Sequence, residues 1–191
     1  MSRRTRTTLA VLATSWLTAC TAVTADPERA AGRFPEDWLG TWQGQLRILG
    51  PEGERDRIDV ELEIAVGDEP SRWNWTLVYS GRAGRSERPY QLLARNPAEG
   101  TWAIDERNGI VIEARLLDGT FHCCFDVGSA RILWRQTLLA AGTPHERVEL
   151  EILAASTVPV ATAPADGRPE ATSSWPPHQV QRAVLRRRSG T

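Results

Sequence analysis

Three histidines and three cysteines are the side chains of this 191-residue chain best suited to nucleophilic or metal chemistry. Three of the six are contiguous, His122-Cys123-Cys124. A thiol becomes a nucleophile when a nearby imidazole takes its proton, and four converging His and Cys donors hold zinc. Neighbouring residues of a strand, however, point to opposite faces, so His122 cannot readily activate Cys123. His122 and Cys124 share a face with Cα atoms roughly 6.5–7 Å apart, which gives two donors and no further cysteine pair to complete a zinc site. A Cys123–Cys124 bond would join Cα atoms about 3.8 Å apart, shorter than the usual disulfide separation. Both are expected as free, largely inert thiols. His145 follows Thr143-Pro144 and reads as a loop residue, while Asp59, Glu61 and Glu63 read as the wet face of a strand. The expectation is therefore no catalytic residue, no metal site, no cofactor and no enzyme.

The elements that position these residues are strands. Ile58, Val60, Leu62, Ile64 and Val66 alternate with Asp59, Glu61 and Glu63, a period of two that marks a half-buried strand. Trp73, Trp75, Leu77 and Tyr79 repeat it, followed by Tyr90, Leu92 and Ala94, then by Trp102 and Ile104. Asn108-Gly109 suits a tight hairpin turn, because both central positions of a type I′ turn need positive φ. Ile110, Ile112, Ala114 and Leu116 lead to a second such pair, Asp118-Gly119. Phe121, Cys123, Phe125 and Val127 form another run, as do Ile132, Trp134 and Leu138, and Val148, Leu150 and Ile152. About nine strands with no helical pattern between them predict successive antiparallel pairing. The fold class is all-β, an antiparallel up-and-down barrel of about 8–10 strands, which leaves no exposed edge.

The flanks differ in composition. Residues 156–178 are rich in Pro, Ala, Ser and Thr, a long excursion. Residues 179–191 follow two prolines and carry Val180, Val184 and Leu185 among arginines, a pattern that reads as a closing strand. At the other end Arg3, Arg4 and Arg6 precede an apolar run, Leu9–Leu17, too short to span a bilayer. Residues 1–19 read as a signal peptide. Leu17-Thr18-Ala19-Cys20 resembles a bacterial lipobox, which implies lipidation of Cys20. Residues 20–36 then serve as lipidated N-terminus and flexible tether, and residues 37–155 as the barrel. Thr21 after the cysteine resembles the pattern sorted to the outer membrane. The implied location is the cell envelope, outer membrane, facing the periplasm, with the membrane as a partner through the N-terminal lipid.

All 23 basic residues are arginine. Outside the signal peptide 20 arginines meet 24 acids, a net of −4, and no basic stripe runs through the middle of the chain. Nucleic acid is not the partner this distribution suggests.

Gly40-Thr41-Trp42 heads the first strand and resembles the glycine-x-tryptophan motif of the lipocalin and fatty-acid-binding-protein superfamily, the calycins. The resemblance implies that Trp42 packs across one end of the barrel beneath an arginine of the last strand, with Arg182 in Gln181-Arg182-Ala183-Val184-Leu185 as that arginine. A guanidinium stacks well on an indole face. The chain is also similar to uncharacterised secreted bacterial lipoproteins of this barrel type. A barrel of that size can hold one small ligand, and the candidate lining is Trp73, Trp75, Tyr79, Tyr90, Trp102 and Trp134. The same side chains can equally fill the barrel. Two readings stay open: a binding protein for a small hydrophobic molecule, and a filled structural or protein-interaction lipoprotein of the envelope whose protein partner is unknown.

Overall fold

The computed structural model describes residues 32–162 and 172–188. The signal peptide, Cys20 and the tether as far as residue 31 lie outside the described residues, as do residues 163–171 of the excursion and 189–191. The described strands are β1 (Gly40–Gly50), β2 (Gly53–Val66), β3 (Arg72–Gly81), β4 (Gly84–Asn96), β5 (Thr101–Asp105), β6 (Val111–Leu117), β7 (Thr120–Val127), β8 (Ala130–Leu139) and β9 (Arg147–Ser156). A small hairpin follows, β10 (Val160–Thr162) with β11 (Thr172–Ser174), and then β12 (Pro177–Arg187). Ten of them close an antiparallel barrel in the order β1-β12-β9-β8-β7-β6-β5-β4-β3-β2. The excursion thus contains the separate two-stranded sheet β10-β11, which no alternation in the sequence announces.

Turn chemistry explains the hairpins and corrects one of them. Asp118 and Gly119 both have positive φ, 48° and 69°, as a two-residue type I′ turn requires. At the other predicted tight turn the positive values belong to Arg107 and Gly109, with Asn108 between them. There the backbone opens into a wider loop held by side chains. Asp105 Oδ1 accepts from the Arg107 N–H at 2.7 Å, and Asn108 Oδ1 accepts from the Ile110 N–H at 3.0 Å.

The predicted tether reaches too far. Residues 32–36 belong to the folded body. Pro35 is buried and Phe34 is half-buried, the latter with its ring centroid 4.8 Å from Trp102 and 5.4 Å from Phe121. A short 3₁₀ turn, Glu36–Trp38, then delivers the wholly buried Trp38 before β1 begins. The sequence hides this plug because a single aromatic before a turn has no period.

Candidate functional site

Along the barrel axis the interior divides into a sealed end and an open end. The sealed end collects the start of β1, β3, β5, β7 and β9 and the finish of the other five barrel strands. Trp42, Trp75, Phe121, Ile64, Leu62, Leu185 and Val148 are 0–1% exposed there. Phe34 and Trp38 press onto this layer. Phe34 meets Trp38 edge-on at 5.1 Å, and Trp75 stacks on Phe121 at 5.6 Å. Such offset and edge-to-face pairs add to what the buried area alone contributes.

The arginine over Trp42 is Arg187, not Arg182. Its guanidinium carbon lies 4.1 Å from the indole centroid, and Trp42 and Arg187 are direct cross-strand partners. Arg187 also donates to the Leu39 carbonyl, to the Asp37 carbonyl at 3.0 Å and to the Glu146 carboxylate. Trp42 Nε1 donates to the Trp38 carbonyl at 2.8 Å. One side chain therefore ties together the plug, β1, β12 and the loop before β9. Arg182 lies five residues earlier, an odd number, and so points outward. It pairs with Glu151 at 2.7 Å. The parity of Ala183 and Leu185, both buried, picks out Arg187 as the inward arginine. Treating Val184 as a packing residue obscured that, since Val184 is 49% exposed. Gly40 and Gly44 fit the crowding: a Cβ on Gly40 would sit 2.5 Å from Arg187 Nη1, and one on Gly44 would collide with the Val184 carbonyl.

The closure is electrostatically tuned. Asp37 is held below the usual carboxylate range by hydrogen bonds from Arg33, first its backbone N–H and then its guanidinium. For Glu146, partial burial pushes the carboxyl up, but the Arg187 hydrogen bond and the Gly142 N–H outweigh it and leave it lowered.

Towards the open end the inward residues are the half-buried Ile58, Tyr79, Tyr90, Phe125, Ile132 and Ile152, all packed against the core. Burial pushes the Tyr79 hydroxyl up to about 12, and burial first, then the charge of Glu106, raises Tyr90. Both phenols stay protonated donors at neutral pH. Of the six predicted lining residues, Tyr79 and Tyr90 stand in the wall and Trp134 lies at mid-height, 6% exposed. Trp75 and Trp102 belong to the floor, and Trp73 packs against Trp102 with centroids 5.8 Å apart.

The sequence reading missed Gln136. It sits between Trp134 and Leu138 at an inward position, opposite Phe121 and Leu150, and is 0% exposed. Among the described residues neither its amide oxygen nor its amide nitrogen has a hydrogen-bond partner, and neither do the indole N–H groups of Trp75, Trp102 and Trp134. Buried polar groups are normally paired; each one left over costs about 1–3 kcal/mol. Strand parity alone would have flagged this glutamine, since a polar residue where the inward face demands an apolar one stands out.

The thiols and histidines stay apart. Cys123 faces inward, buried, and burial pushes its thiol up to about 12; Cys124 is exposed on the outer face. His122 also faces out, lowered by partial burial and then by Arg135. His145 and His178 are exposed. Among the described residues no group of three or more His, Cys, Asp or Glu side chains is placed to hold a metal ion.

No family model and no curated protein matches the chain. Solved structures do. The S-type phycobiliprotein lyase CPES from Guillardia theta superposes with a TM-score of 0.56 at 11% identity, over 82% of this chain and 91% of that one. A protein of unknown function of the DUF3598 family from Nostoc punctiforme gives 0.54 at 14% identity, over 80% of this chain. Only 48% of that second protein is covered, so this chain spans about half its length. The shared feature is the fold, in this chain a closed antiparallel barrel of ten strands. The first neighbour bears an enzyme's name, so the shared fold lends no support to the expectation of a chain without enzyme activity.

Proposed function

We propose that this chain is a binding protein that takes one small, largely apolar and aromatic molecule into the barrel through its open end, held at the cell envelope by a lipid on Cys20. The observation that carries the reading is Gln136 with the three indole N–H groups, four buried polar side chains without a partner among the described residues, in and beside an aromatic floor. Apolar walls with a few fixed polar groups are the usual make-up of a small-molecule site. Here the polar set comprises three donors and one amide that both donates and accepts. It matches a flat molecule with carbonyl or ring-nitrogen acceptors, while Tyr79 and Tyr90 offer further donors nearer the mouth. The envelope location, outer membrane and facing the periplasm, rests on Leu17-Thr18-Ala19-Cys20 and Thr21.

Native mass spectrometry of the protein released from its own envelope tests the binding. A non-covalent mass increment that disappears in Gln136→Leu supports it; a bare barrel in every preparation contradicts it. The bare barrel would favour the second reading, a filled structural or interaction lipoprotein, for which the 0–1% exposure of Trp38, Trp75 and Phe121 speaks. Fatty-acid labelling tests the anchor separately, with incorporation expected in the parent and absent in Cys20→Ser.

A further inference from the structure

The outside of the barrel carries a pattern that ligand binding does not use. Cross-strand register places Cys124 opposite Leu133, Leu133 opposite Leu153, Leu153 opposite Val180, and Val180 opposite Leu49. These five outward residues make one apolar row across β7, β8, β9, β12 and β1. At about 4.8 Å per strand the row is roughly 19 Å long. Cys124 is exposed, Leu133 is 41% exposed and the other three are half-buried.

Two residues along each strand towards the sealed end, about 7 Å away, lies a second row in register: His122, Arg135, Glu151, Arg182, Arg47 and Arg57. Its four guanidiniums share two carboxylates. Glu151 is bridged to Arg135 at 3.0 Å and to Arg182 at 2.7 Å; Glu54 is bridged to Arg47 at 2.7 Å and to Arg57 at 2.8 Å. These four arginines outnumber the two carboxylates they share by two, in a chain whose formal net charge is −1. On the open-end side of the apolar row, Trp175 is 38% exposed and Arg131 lies 4.7 Å from its ring centroid.

We infer that this face docks on an anionic lipid surface. The layering decides between a bilayer and a protein. The centre of a protein interface is depleted of charge and several residues deep. Here the apolar layer is a single row backed at once by guanidiniums, the arrangement of surfaces that lie in the headgroup region with their apolar side about 5–10 Å deep. Guanidiniums in excess of the carboxylates they share are drawn to anionic headgroups, and tryptophan concentrates at that boundary. The row meets the apolar boundary, the arginines meet the phosphates, and Trp175 anchors the rim. The contact is independent of any lipid on Cys20, although the two would add.

The test is co-sedimentation of the full chain carrying Cys20→Ser with vesicles of phosphatidylglycerol in phosphatidylcholine, and with phosphatidylcholine alone. Three proteins are compared: this parent, the parent with Leu133→Glu, and the parent with Arg135→Gln and Arg182→Gln together. All share the same N-terminus, whose contribution cancels. The double arginine variant is expected to lose about tenfold or more in binding to the anionic vesicles, with little change on neutral ones. Leu133→Glu is expected to lose a similar factor at an unchanged melting temperature. Equal binding by all three proteins overturns the inference. So does a parent dimer that Leu133→Glu dissociates, which would make the face an interface between copies. A Leu133→Glu variant that melts well below the parent also overturns it, because the row would then be covered by the chain itself.

Discussion

The sealed and open ends of the barrel are built from the same strands and the same alternation, yet they solve opposite problems. At the closure every inward aromatic has a ring or a cation against it, and the indole N–H of Trp42 is satisfied by the Trp38 carbonyl. Beside it, from the floor up to mid-height, three indoles and a glutamine are buried without partners among the described residues. A protein optimised for stability alone would pair or replace them. The difference teaches that the closure around Trp42 is fully paired while the interior beside it carries the unmet polar groups.

The largest effect that can break this comparison is at the seal. Trp42→Ala is expected to cost about 3–5 kcal/mol, as large aromatic truncations in cores do. Arg187→Ala should cost about 2 kcal/mol, through its carbonyl and carboxylate hydrogen bonds and its place over the indole. Because the two side chains touch, a denaturant double-mutant cycle should return a coupling of about 0.5–3 kcal/mol; additive effects would mean that the contact does not hold the seal. Arg182→Ala is the control. Its pair with Glu151 is exposed, so about 0–1 kcal/mol is expected.

Next comes Gln136→Leu. Removing an unpaired buried amide should stabilise the free barrel by about 1–2 kcal/mol while weakening ligand capture. Thermal melting of the free protein reads the first half. A destabilised Gln136→Leu would mean that the amide is satisfied in the free protein and that the interior is not poised for a ligand.

A smaller effect sharpens the contrast through pH. Asp37 and Glu146 are both lowered in the folded state and both belong to the seal. A lowered carboxylate contributes stability that is present above its unfolded value, about 4, and is lost as pH falls through the folded value. Stability should therefore decline below pH about 4. The Glu146 part of that decline should shrink in Arg187→Gln, which a pH series of denaturant midpoints would show. An identical acid profile in the two proteins would remove Arg187 from the account of Glu146.

Much of this was legible in the sequence, and the gaps have physical causes. Period-two runs such as Ile58–Val66 and Trp73–Tyr79 are read directly as strands because one face is wet and the other dry. The closing strand was legible too, from apolar residues after two prolines. Which arginine turns inward was not, because Val184 and Leu185 are adjacent apolar residues on opposite faces and only one of them packs inside. Phe34 was invisible for another reason: its partners Trp102 and Phe121 are distant in sequence, and no local pattern encodes such contacts. Gln136 was passed over because apolar runs were counted, so the polar exception within one went unremarked. The apolar outer row is likewise a product of register, with one residue drawn from each of five strands.

The central claim, that the unpaired buried polar groups of the barrel interior form a ligand site, is tested most directly by NMR of the indole N–H signals during titration with an apolar aromatic probe, 8-anilinonaphthalene-1-sulfonate. The account predicts that the Trp75, Trp102 and Trp134 signals shift together and saturably while that of Trp42, bonded to the Trp38 carbonyl, stays fixed. Saturable probe binding that leaves those three signals in place, or that moves Trp42 alone, would contradict it.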